Sequence, residues 1–480
     1  MEKNDKGLSA WQLTMMALGT VIGGSFFLGS AVAIQAAGPA ILISYLLAGA
    51  LVYVILFALS EMTVADPAPG SFRTFAQKAY GPGLGFVVGW VYWSGMVLAM
   101  SSEAAAVSII LQKWFPALSV PLLGAGVIVS VTFLNLLGAD KLSKLESGLA
   151  AVKLLAIVGF VLVGAALISG VFTGTERVGA GALLTEPWFP RGIAGIAGSM
   201  LIVMFAYAGF EIIGLAASET ANPVETVPKA ISYTIAGLAG LYIAAVLILL
   251  PLIPTAALST AESPLVLALD QWNLGWAGTV MNIVLVTAIL STMLAAMFGL
   301  GRMIRSLAEE GHAPDWVKDT GDIPRKGILF SGAAMLAALG MGFFLPEQVY
   351  LFLVSSGGFS LLFAYVVILA SHYKFRKEHG CSPDGKCQLP GYPYTSWLAL
   401  ASCLLIIASM PLVAGQGAGL AAGMGLVLLF SAIYTGQKLY QKRAAAAPGT
   451  ASRQLQFETA EELTPDQAKI NRQQNKENDE

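Results

Sequence analysis

Charged residues are scarce in this chain of 480 residues, and cysteine is nearly absent. Asp, Glu, Lys and Arg together make up 12% of the sequence, whereas hydrophobic residues make up 56%. A soluble globular protein carries about 25% charged residues, so this composition excludes an ordinary soluble fold. The three cysteines and three histidines match no standard zinc spacing, and we expect neither a metal nor a cofactor.

The motifs of enzymes and nucleotide-driven pumps are also missing. The chain has no GxxxxGK[ST] phosphate-binding loop and no nucleophile–base motif. We place His312, His372 and His379 outside the apolar segments, which argues against catalysis inside a membrane. A channel would need a continuous polar lining or a selectivity filter, which the apolar segments do not offer. We therefore predict that the protein is not an enzyme and does not bind nucleic acid.

Long apolar runs, by contrast, follow one another from end to end. A helix needs roughly 20 apolar residues to cross a hydrocarbon core of about 30 Å. The sequence therefore predicts an all-α polytopic protein of a cell membrane, surrounded by lipid, with 12 transmembrane helices. The predicted spans are 11–35, 39–63, 83–112, 119–138, 147–170, 193–217, 228–253, 276–307, 327–345, 348–373, 394–414 and 418–441.

Basic residues indicate which side of the membrane each loop occupies. Lys and Arg are frequent in the N-terminus and in alternate loops, such as "SFRTFAQKAYG" and "YKFRKEHGCSPDGK", whereas the opposite loops contain Lys113, Arg177 and Arg191. Because cytoplasmic loops carry the excess of positive charge, we predict that both termini are cytoplasmic. Cys381 and Cys387 then lie in a cytoplasmic loop, where reduced thiols are the default.

Glycines interrupt two of the predicted spans. The first contains "GTVIGGSFFLGS", from Gly19 to Ser30, and the sixth contains "MFAYAGFEIIG", from Met204 to Gly214. Unwound backbone inside a membrane is tolerated where it lines a cavity or binds a ligand. We therefore predict that helices 1 and 6 are discontinuous, with free amides suited to a carboxylate and free carbonyls suited to an ammonium group. The alternative is that these glycines only let helices pack closely.

A short repeat accompanies the two interruptions. The phrase "ISYLLAG" from Ile43 and the phrase "ISYTIAG" from Ile231 agree at five of seven positions. The loop charges also place spans one and six in opposite directions, so we predict an inverted repeat of five helices plus five. The resulting boundaries are 1–443 for the membrane domain, with repeats of about 11–170 and 193–373 and extra helices in 394–441, and 444–480 for a disordered cytoplasmic tail.

Several phrases of the chain resemble those of one transporter family. They are "AGPAILISYLLAGALVYVILFALSEM", "PAPGSFRTFAQKAYGPGLGFVVGWVYW", "FAYAGFEIIGLAASETANPVETVPKAI", "GRMIRSLAEEGHAPDWV" and "LPGYPYTSWLAL". In this order they resemble the amino acid permeases of the amino acid–polyamine–organocation superfamily, especially their bacterial amino acid transporter branch. The resemblance implies the leucine-transporter fold and the movement of amino acids by alternating access, commonly driven by protons.

The same resemblance assigns substrate binding to the two breaks. In the first break the substrate carboxylate is expected at Ile22, Gly23, Gly24 and Ser25. In the sixth span the carbonyls of Phe205, Ala206, Tyr207 and Ala208 are expected to bind the substrate amine. The aromatic ring of Phe205 is expected to cover the pocket. Ser25 replaces the usual glycine, so its hydroxyl either donates to the substrate or its Cβ narrows the site. Glu211 matches a frequent acidic position, which we expect to be linked to substrate or protons.

Lys153 lies inside the fifth span, where a charged lysine costs roughly 2.5 kcal/mol or more. Composition alone favours a lysine whose ammonium group reaches the membrane interface. The resemblance implies instead that Lys153 replaces a sodium ion near the first break. Our hypothesis is that its ammonium group bridges carbonyls near Gly19 and Ile22 with Ser291 and Thr292 of the eighth span, and that loss of its proton changes the inward–outward equilibrium.

Glu103, near the middle of the third span, has two interpretations: a protonated structural carboxyl or a second proton carrier. The function predicted for the whole chain is import of amino acids by secondary active transport, with protons as the coupling ion. An exchanger of amino acids or amines and a sodium-coupled symporter on the same fold are the alternatives. Neutral or small substrates are expected, because the predicted pocket offers few charges beyond Glu211. The sequence does not indicate an oligomeric state.

Overall fold

The computed structural model describes residues 9–66, 68, 70–171, 177–210, 213, 220, 222–259, 262–319, 321, 323–341, 349–381 and 387–445. This part of the chain consists of helices and the segments that join them. The α-helices are α1 Ala10–Val21, α2 Gly24–Phe27, α3 Gly29–Ala37, α4 Ile41–Ala65, α5 Phe72–Tyr80, α6 Pro82–Gln112, α7 Val120–Asn135, α8 Ala139–Ser169, α9 Gly192–Ala206, α10 Pro223–Leu252, α11 Pro264–Gln271, α12 Gly275–Glu309, α13 Arg325–Gly340, α14 Val349–His379, α15 Tyr394–Ser409 and α16 Gln416–Ala445.

Eight helical segments of the described chain are long and apolar enough to cross a membrane, and the helices α7 and α9 are apolar but shorter. The predicted all-helical, polytopic architecture is therefore confirmed. The eight segments are Gly29–Ala65, Pro82–Gln112, Gly148–Ser169, Pro223–Leu252, Gly275–Glu309, Tyr350–His379, Tyr394–Leu412 and Gln416–Gln441.

The first predicted span is interrupted at its centre. Helix α1 ends at Val21, and Ile22 (φ −73°, ψ 104°) and Gly23 (φ −142°, ψ −163°) are extended before α2 begins. The single span predicted at 11–35 is therefore three helices, α1, α2 and α3. Two extended residues leave backbone groups of the break without helical partners, which then need partners from other helices.

The sixth predicted span also loses its helical form, since α9 ends at Ala206 and a turn follows over 207–210. Gly209 has φ +104°, and a Cβ at this position would lie 3.1 Å from the carbonyl oxygen of Thr20. Glycine is required here because the backbone is left-handed and closely approaches α1. Glu211 lies outside the described residues.

Helix packing brings the two interrupted regions together. Helix α1 packs against α8, α10 and α12, while α2 packs against α6, α9 and α12. Helix α6 also packs against α12 and α14, so its central residues face the first break. The compact unit that contains this region is Met1–Val427, and the described residues from Leu428 onward belong to a second unit. The domain boundary predicted after residue 443 stays a prediction.

Candidate functional site

A cavity of about 130 Å³ adjoins the two interruptions. At one end it is lined by Thr20, Val21, Ser25, Glu103, Phe205, Ala208, Gly209 and Thr292. Its walls are mainly apolar side chains of α6 and α12, among them Tyr92, Met96, Met100, Ala295 and Ala296. It extends to Gly70, Ser71, Arg302 and Ser306, which lie on the side predicted to be cytoplasmic. The cavity thus connects the breaks with one side of the helix layer.

The carboxylate of Glu103 binds the backbone of the first break directly. Its Oε2 accepts the amide N–H of Gly24 at 2.7 Å, and its Oε1 accepts the amide N–H of Ser25 at 3.1 Å. The side chain is 3% exposed and lines the cavity. These are the amides that the sequence analysis reserved for a substrate carboxylate. A carboxylate of the protein itself therefore occupies them in this structure.

Glycine at position 24 makes that contact sterically possible. A Cβ added to Gly24 would lie 2.4 Å from Glu103 Oε2, closer than real Cβ contacts, and 3.2 Å from its carboxyl carbon. A side chain at position 24 would therefore displace the Glu103 carboxylate from these amides.

Lys153 approaches the same break from α8. Its ammonium group donates to the carbonyl oxygens of Gly19 and Ile22, the latter at 3.0 Å, and its side chain is fully buried. It also lies 3.4 Å from the carbonyl oxygen of Ala288 and from Thr292 Oγ1. Oxygen atoms thus surround a buried cation, as a charged group inside a membrane requires.

Thr292 completes the connection between α12 and the break. Its hydroxyl donates to the carbonyl oxygen of Ile22 at 3.0 Å, and its side chain lines the cavity. A Cβ on Gly23 would lie 3.0 Å from Thr292 Oγ1, so α12 is packed closely against the unwound backbone. Ser291, the other residue predicted on α12, is buried next to it.

Two tyrosine hydroxyls connect the region where α9 ends with neighbouring helices. The Tyr242 hydroxyl donates to the carbonyl oxygen of Ala206 at 3.0 Å, and the Tyr207 hydroxyl donates to that of Tyr45 at 3.1 Å. The Tyr242 ring stacks on Phe26 of α2, with centroids 4.1 Å apart. These buried aromatic side chains pack against both breaks.

The predicted site residues thus fall into two groups. Of those expected to bind substrate, Ser25, Phe205 and Ala208 line the cavity, and of those expected to couple protons, Glu103 and Thr292 do. The other predicted site residues that the structure describes do not line the cavity; they contribute backbone groups or buried side chains next to it. They are Gly19, Ile22, Gly23, Gly24, Lys153, Ala206, Tyr207 and Ser291.

Glu103 was predicted from the sequence, but the other residues on its face of α6 were not assigned to the site. Tyr92, Met96, Met100 and Glu103 all line the cavity, and their spacing of four, four and three residues places them on one side of a helix. This helical periodicity around a buried carboxylate was the available signal. The hydrogen bonds from the Tyr242 and Tyr207 hydroxyls to distant carbonyls had no local signal.

An ion pair lies beside the open end of the cavity. The buried guanidinium of Arg73 donates to Glu310 Oε2 at 2.8 Å and to Ser306 Oγ at 2.8 Å. The hydrogen bond from Arg73 lowers the pKa of Glu310 below its ordinary value, against an opposing contribution from partial burial. The pair connects the start of α5 with the residue that follows α12.

A second buried charge cluster corrects the expectation for His372. His372, which we placed outside the apolar segments although the predicted span 348–373 includes it, is fully buried within α14. Its Nε2 lies 2.6 Å from Glu61 Oε2. Its partner is a carboxylate 311 positions away in the sequence, which local hydropathy does not reveal. His379, also placed outside, is the exposed last residue of α14. Cys381 and Cys387, expected as reduced thiols, lie close enough to form a disulfide, with their Cα atoms 4.9 Å apart.

Comparison with known proteins gives consistent matches along the chain. The family model for amino acid permeases matches residues 12–447. The gamma-aminobutyric acid permease of Bacillus subtilis (strain 168) is 32% identical over 448 residues, 92% of this chain and 96% of that protein. The gamma-aminobutyric acid permease of Escherichia coli (strain K12) is 32% identical over 413 residues, with coverages of 84% and 88%.

The aromatic amino acid transport protein of Corynebacterium glutamicum is 31% identical over 421 residues, which cover 86% of this chain and 90% of that protein. Among solved structures, the manganese transporter of Eremococcus coleocola superposes with a TM-score of 0.57 at 13% identity, over 89% of this chain and 94% of the other. At this identity the superposition shows a similar fold.

Proposed function

The chain belongs to the amino acid permease family, within the amino acid–polyamine–organocation superfamily, and on this premise we propose that it is a proton-coupled symporter that imports small neutral amino acids. Family membership makes it a multi-pass membrane transporter rather than an enzyme. The finer architecture is part of the proposal: 12 spans, an inverted repeat of five plus five helices, and both termini in the cytoplasm. The broken first helix and the alternating basic loops support it.

A small zwitterion is the substrate that the site favours. Two relatives are named for gamma-aminobutyric acid, which has one carboxylate and one ammonium group. The cavity of about 130 Å³ is smaller than the roughly 300–1,000 Å³ of pockets that bind drug-sized ligands. Ser25 and Phe205 lie in its lining, where a side-chain Cβ and an aromatic ring reduce the available space. Large side chains would therefore need rearrangement.

The position of Lys153 is the observation that carries proton coupling. Its ammonium group contacts oxygens of Gly19, Ile22, Ala288 and Thr292, a set of carbonyl and hydroxyl oxygens of the kind that also binds metal cations. A second cation cannot share this position while the lysine is charged, because like charges repel strongly in a buried site. This favours a proton on Lys153 over a sodium ion as the coupling species.

Glu103 supplies the opposite charge on the same break. Lys153 holds the carbonyls of Gly19 and Ile22, whereas Glu103 holds the amides of Gly24 and Ser25, which follow them in the chain. A substrate carboxylate that binds these amides must displace Glu103, and displacement is easier once Glu103 is protonated. Binding of substrate and of a proton then become linked, which is the requirement for symport.

Uptake into proteoliposomes tests this proposal. Labelled glycine, alanine, gamma-aminobutyrate and phenylalanine would be offered with a proton gradient or a sodium gradient imposed separately. We expect a proton gradient alone to drive accumulation of the smaller substrates. Accumulation with a sodium gradient alone would contradict the coupling, and uptake that needs no gradient but accelerates with internal substrate would identify an exchanger.

Variants at position 153 make the test specific. Lys153→Arg keeps a charge that does not dissociate, so it should lose gradient-driven accumulation, as should Lys153→Ala. The control is Lys229→Ala, since Lys229 is exposed and pairs only weakly with Glu225 at 3.7 Å. Full proton-driven uptake by Lys153→Ala would exclude the proposed role of this lysine. Size-exclusion profiles of the variants would show whether a loss reflects misfolding.

A further inference from the structure

A pair of cysteines lies next to the buried cluster of Glu61 and His372, away from the cavity. Cys381 follows the end of α14, and Cys387 precedes the segment that leads to α15. Their Cα atoms are 4.9 Å apart, within the range of about 4.4–6.8 Å that a disulfide requires. Both lie in the loop that the basic residues assign to the reducing cytoplasm. The pair can therefore exist as two thiols or as a disulfide without rearrangement of the backbone.

Arg376 gives this pair a reactive environment. Its guanidinium Nη1 donates to the sulfur of Cys381 at 2.8 Å and also to that of Cys387. A cation beside a cysteine stabilises the thiolate, which is the form that attacks disulfides. Arg376 itself is 8% exposed, and its Nε lies 3.5 Å from Glu61 Oε2, so it is held in place. Cys387 is exposed and can be reached by a small soluble disulfide.

The residues that follow Cys387 tie the pair to the membrane helices. The amides of Gln388 and Leu389 donate to Glu61 Oε1 at 2.5 and 2.6 Å. Glu61 belongs to α4 and is 2% exposed, while His372 and Arg376 belong to α14. A covalent link from Cys381 to Cys387 therefore restrains residues 387–389, which are hydrogen-bonded to Glu61 of α4, against the end of α14. Freeing that link leaves the amides of the loop held by hydrogen bonds alone.

We propose that Cys381 and Cys387 form a thiol–disulfide switch that exchanges with glutathione-type disulfides and slows transport when oxidised. The thiolate of Cys387 attacks one sulfur of the soluble disulfide and releases one thiolate. The thiolate of Cys381 then attacks the Cys387 sulfur of the mixed disulfide and releases the second. Two protein thiols are oxidised, one soluble disulfide is reduced to two thiols, and the two protons pass to the released thiolates. The effect on transport rests on the proposed transport function, whereas the exchange chemistry does not.

The first experiment measures the exchange itself. Full-length protein with Cys403→Ser would be equilibrated in proteoliposomes with reduced and oxidised glutathione at graded ratios, and free thiols would be counted by mass shift with a maleimide. We expect both thiols to disappear together. Arg376→Gln should slow the exchange by about tenfold or more, since it loses the stabilising cation. The control variant Lys377→Gln, which removes an exposed neighbouring cation, should leave the rate unchanged. Thiols that stay free at every ratio, or that react independently, would overturn the proposal.

The second experiment measures the consequence. Uptake of labelled alanine by oxidised protein should be about fivefold slower than by reduced protein, the low end of ordinary coupling effects. Dithiothreitol should restore the rate, and Cys387→Ser should be insensitive to oxidation. Equal rates in both states would overturn the restraint. If no amino acid is taken up in either state, the transport proposal fails, and the restraint is read from hydrogen exchange at Gln388 and Leu389, where equal protection in both states would overturn it.

Discussion

Replacing Glu103 with glutamine keeps the shape of this side chain and removes its charge. In the wild type the two carboxylate oxygens accept the amides of Gly24 and Ser25 at 2.7 and 3.1 Å. A glutamine has one carbonyl oxygen and one amino group, and the amino group cannot accept a hydrogen bond. One of the two amides therefore loses its partner, and the other loses the assistance of a charge. A ligand carboxylate then meets less competition for these amides.

The magnitude follows from the strength of those contacts. A hydrogen bond to a charged group contributes about 1.5–3 kcal/mol, which corresponds to about 10- to 150-fold in a competing equilibrium. At a pH where Glu103 is ionised, we expect Glu103→Gln to bind a zwitterionic ligand more tightly by a factor in this range. In the wild type the affinity should fall by up to about tenfold per pH unit as Glu103 loses its proton, because one proton is taken up for each ligand bound.

Equilibrium binding of labelled alanine and gamma-aminobutyrate to purified protein in lipid nanodiscs, at a series of pH values, measures both effects. The variant should show a flatter pH dependence than the wild type. Glu262→Gln serves as a control, since Glu262 pairs with Lys113 far along the chain from the breaks. If Glu103→Gln binds the ligands more weakly at every pH, Glu103 contacts the ligand ammonium instead, and the competition argument is refuted.

Two further substitutions probe the break and the open end of the cavity. Gly24→Ala places a Cβ 2.4 Å from Glu103 Oε2, so it should displace this carboxylate from the break and lower uptake. Gly126→Ala, with no atom within 4 Å of its Cβ, should leave uptake unchanged; normal uptake by Gly24→Ala would contradict the close approach. Glu310→Gln should lower the melting temperature at neutral pH, because Arg73 loses a charged partner and the pKa of Glu310 is lowered in the folded state. The ionised Glu310 carboxylate contributes fully to stability above its unfolded pKa near 4.5. This contribution is lost as the pH falls through the lower pKa of the folded state, so wild type and variant should have equal melting temperatures in acid. A difference in melting temperature that persists in acid would contradict a stabilising role of the charged Glu310.

Local patterns predicted much of the architecture. Apolar runs located the helices because hydropathy over about 20 residues measures the cost of crossing lipid directly. Adjacent Gly23 and Gly24 indicated the break between α1 and α2, because glycine is both a poor helix former and free of a Cβ. The family resemblance from short phrases is confirmed by the match over residues 12–447.

The partners of the break could not be predicted in the same way. Glu103 was recognised as a buried carboxyl, but its contact with Gly24 joins residues 79 positions apart. The contact of Lys153 with Ile22 spans 131 positions. The hypothesis that Lys153 binds carbonyls of the first break came from the family resemblance rather than from any local pattern. The partner of His372 was missed for the same reason, since Glu61 lies on α4. Such contacts depend on how helices pack, which hydropathy does not record.

The sequence by itself determined where this chain meets lipid, where its first helix cannot continue, and which charges are too costly to leave unpaired in a membrane. Each of these depends on the chemistry of a few neighbouring residues. Only the tertiary structure decided which groups satisfy the broken backbone: a carboxylate from α6 for the amides, and an ammonium group from α8 with a hydroxyl from α12 for the carbonyls. The physical reason is that an unpaired buried polar group must find a partner, but any helix that packs close enough can provide it.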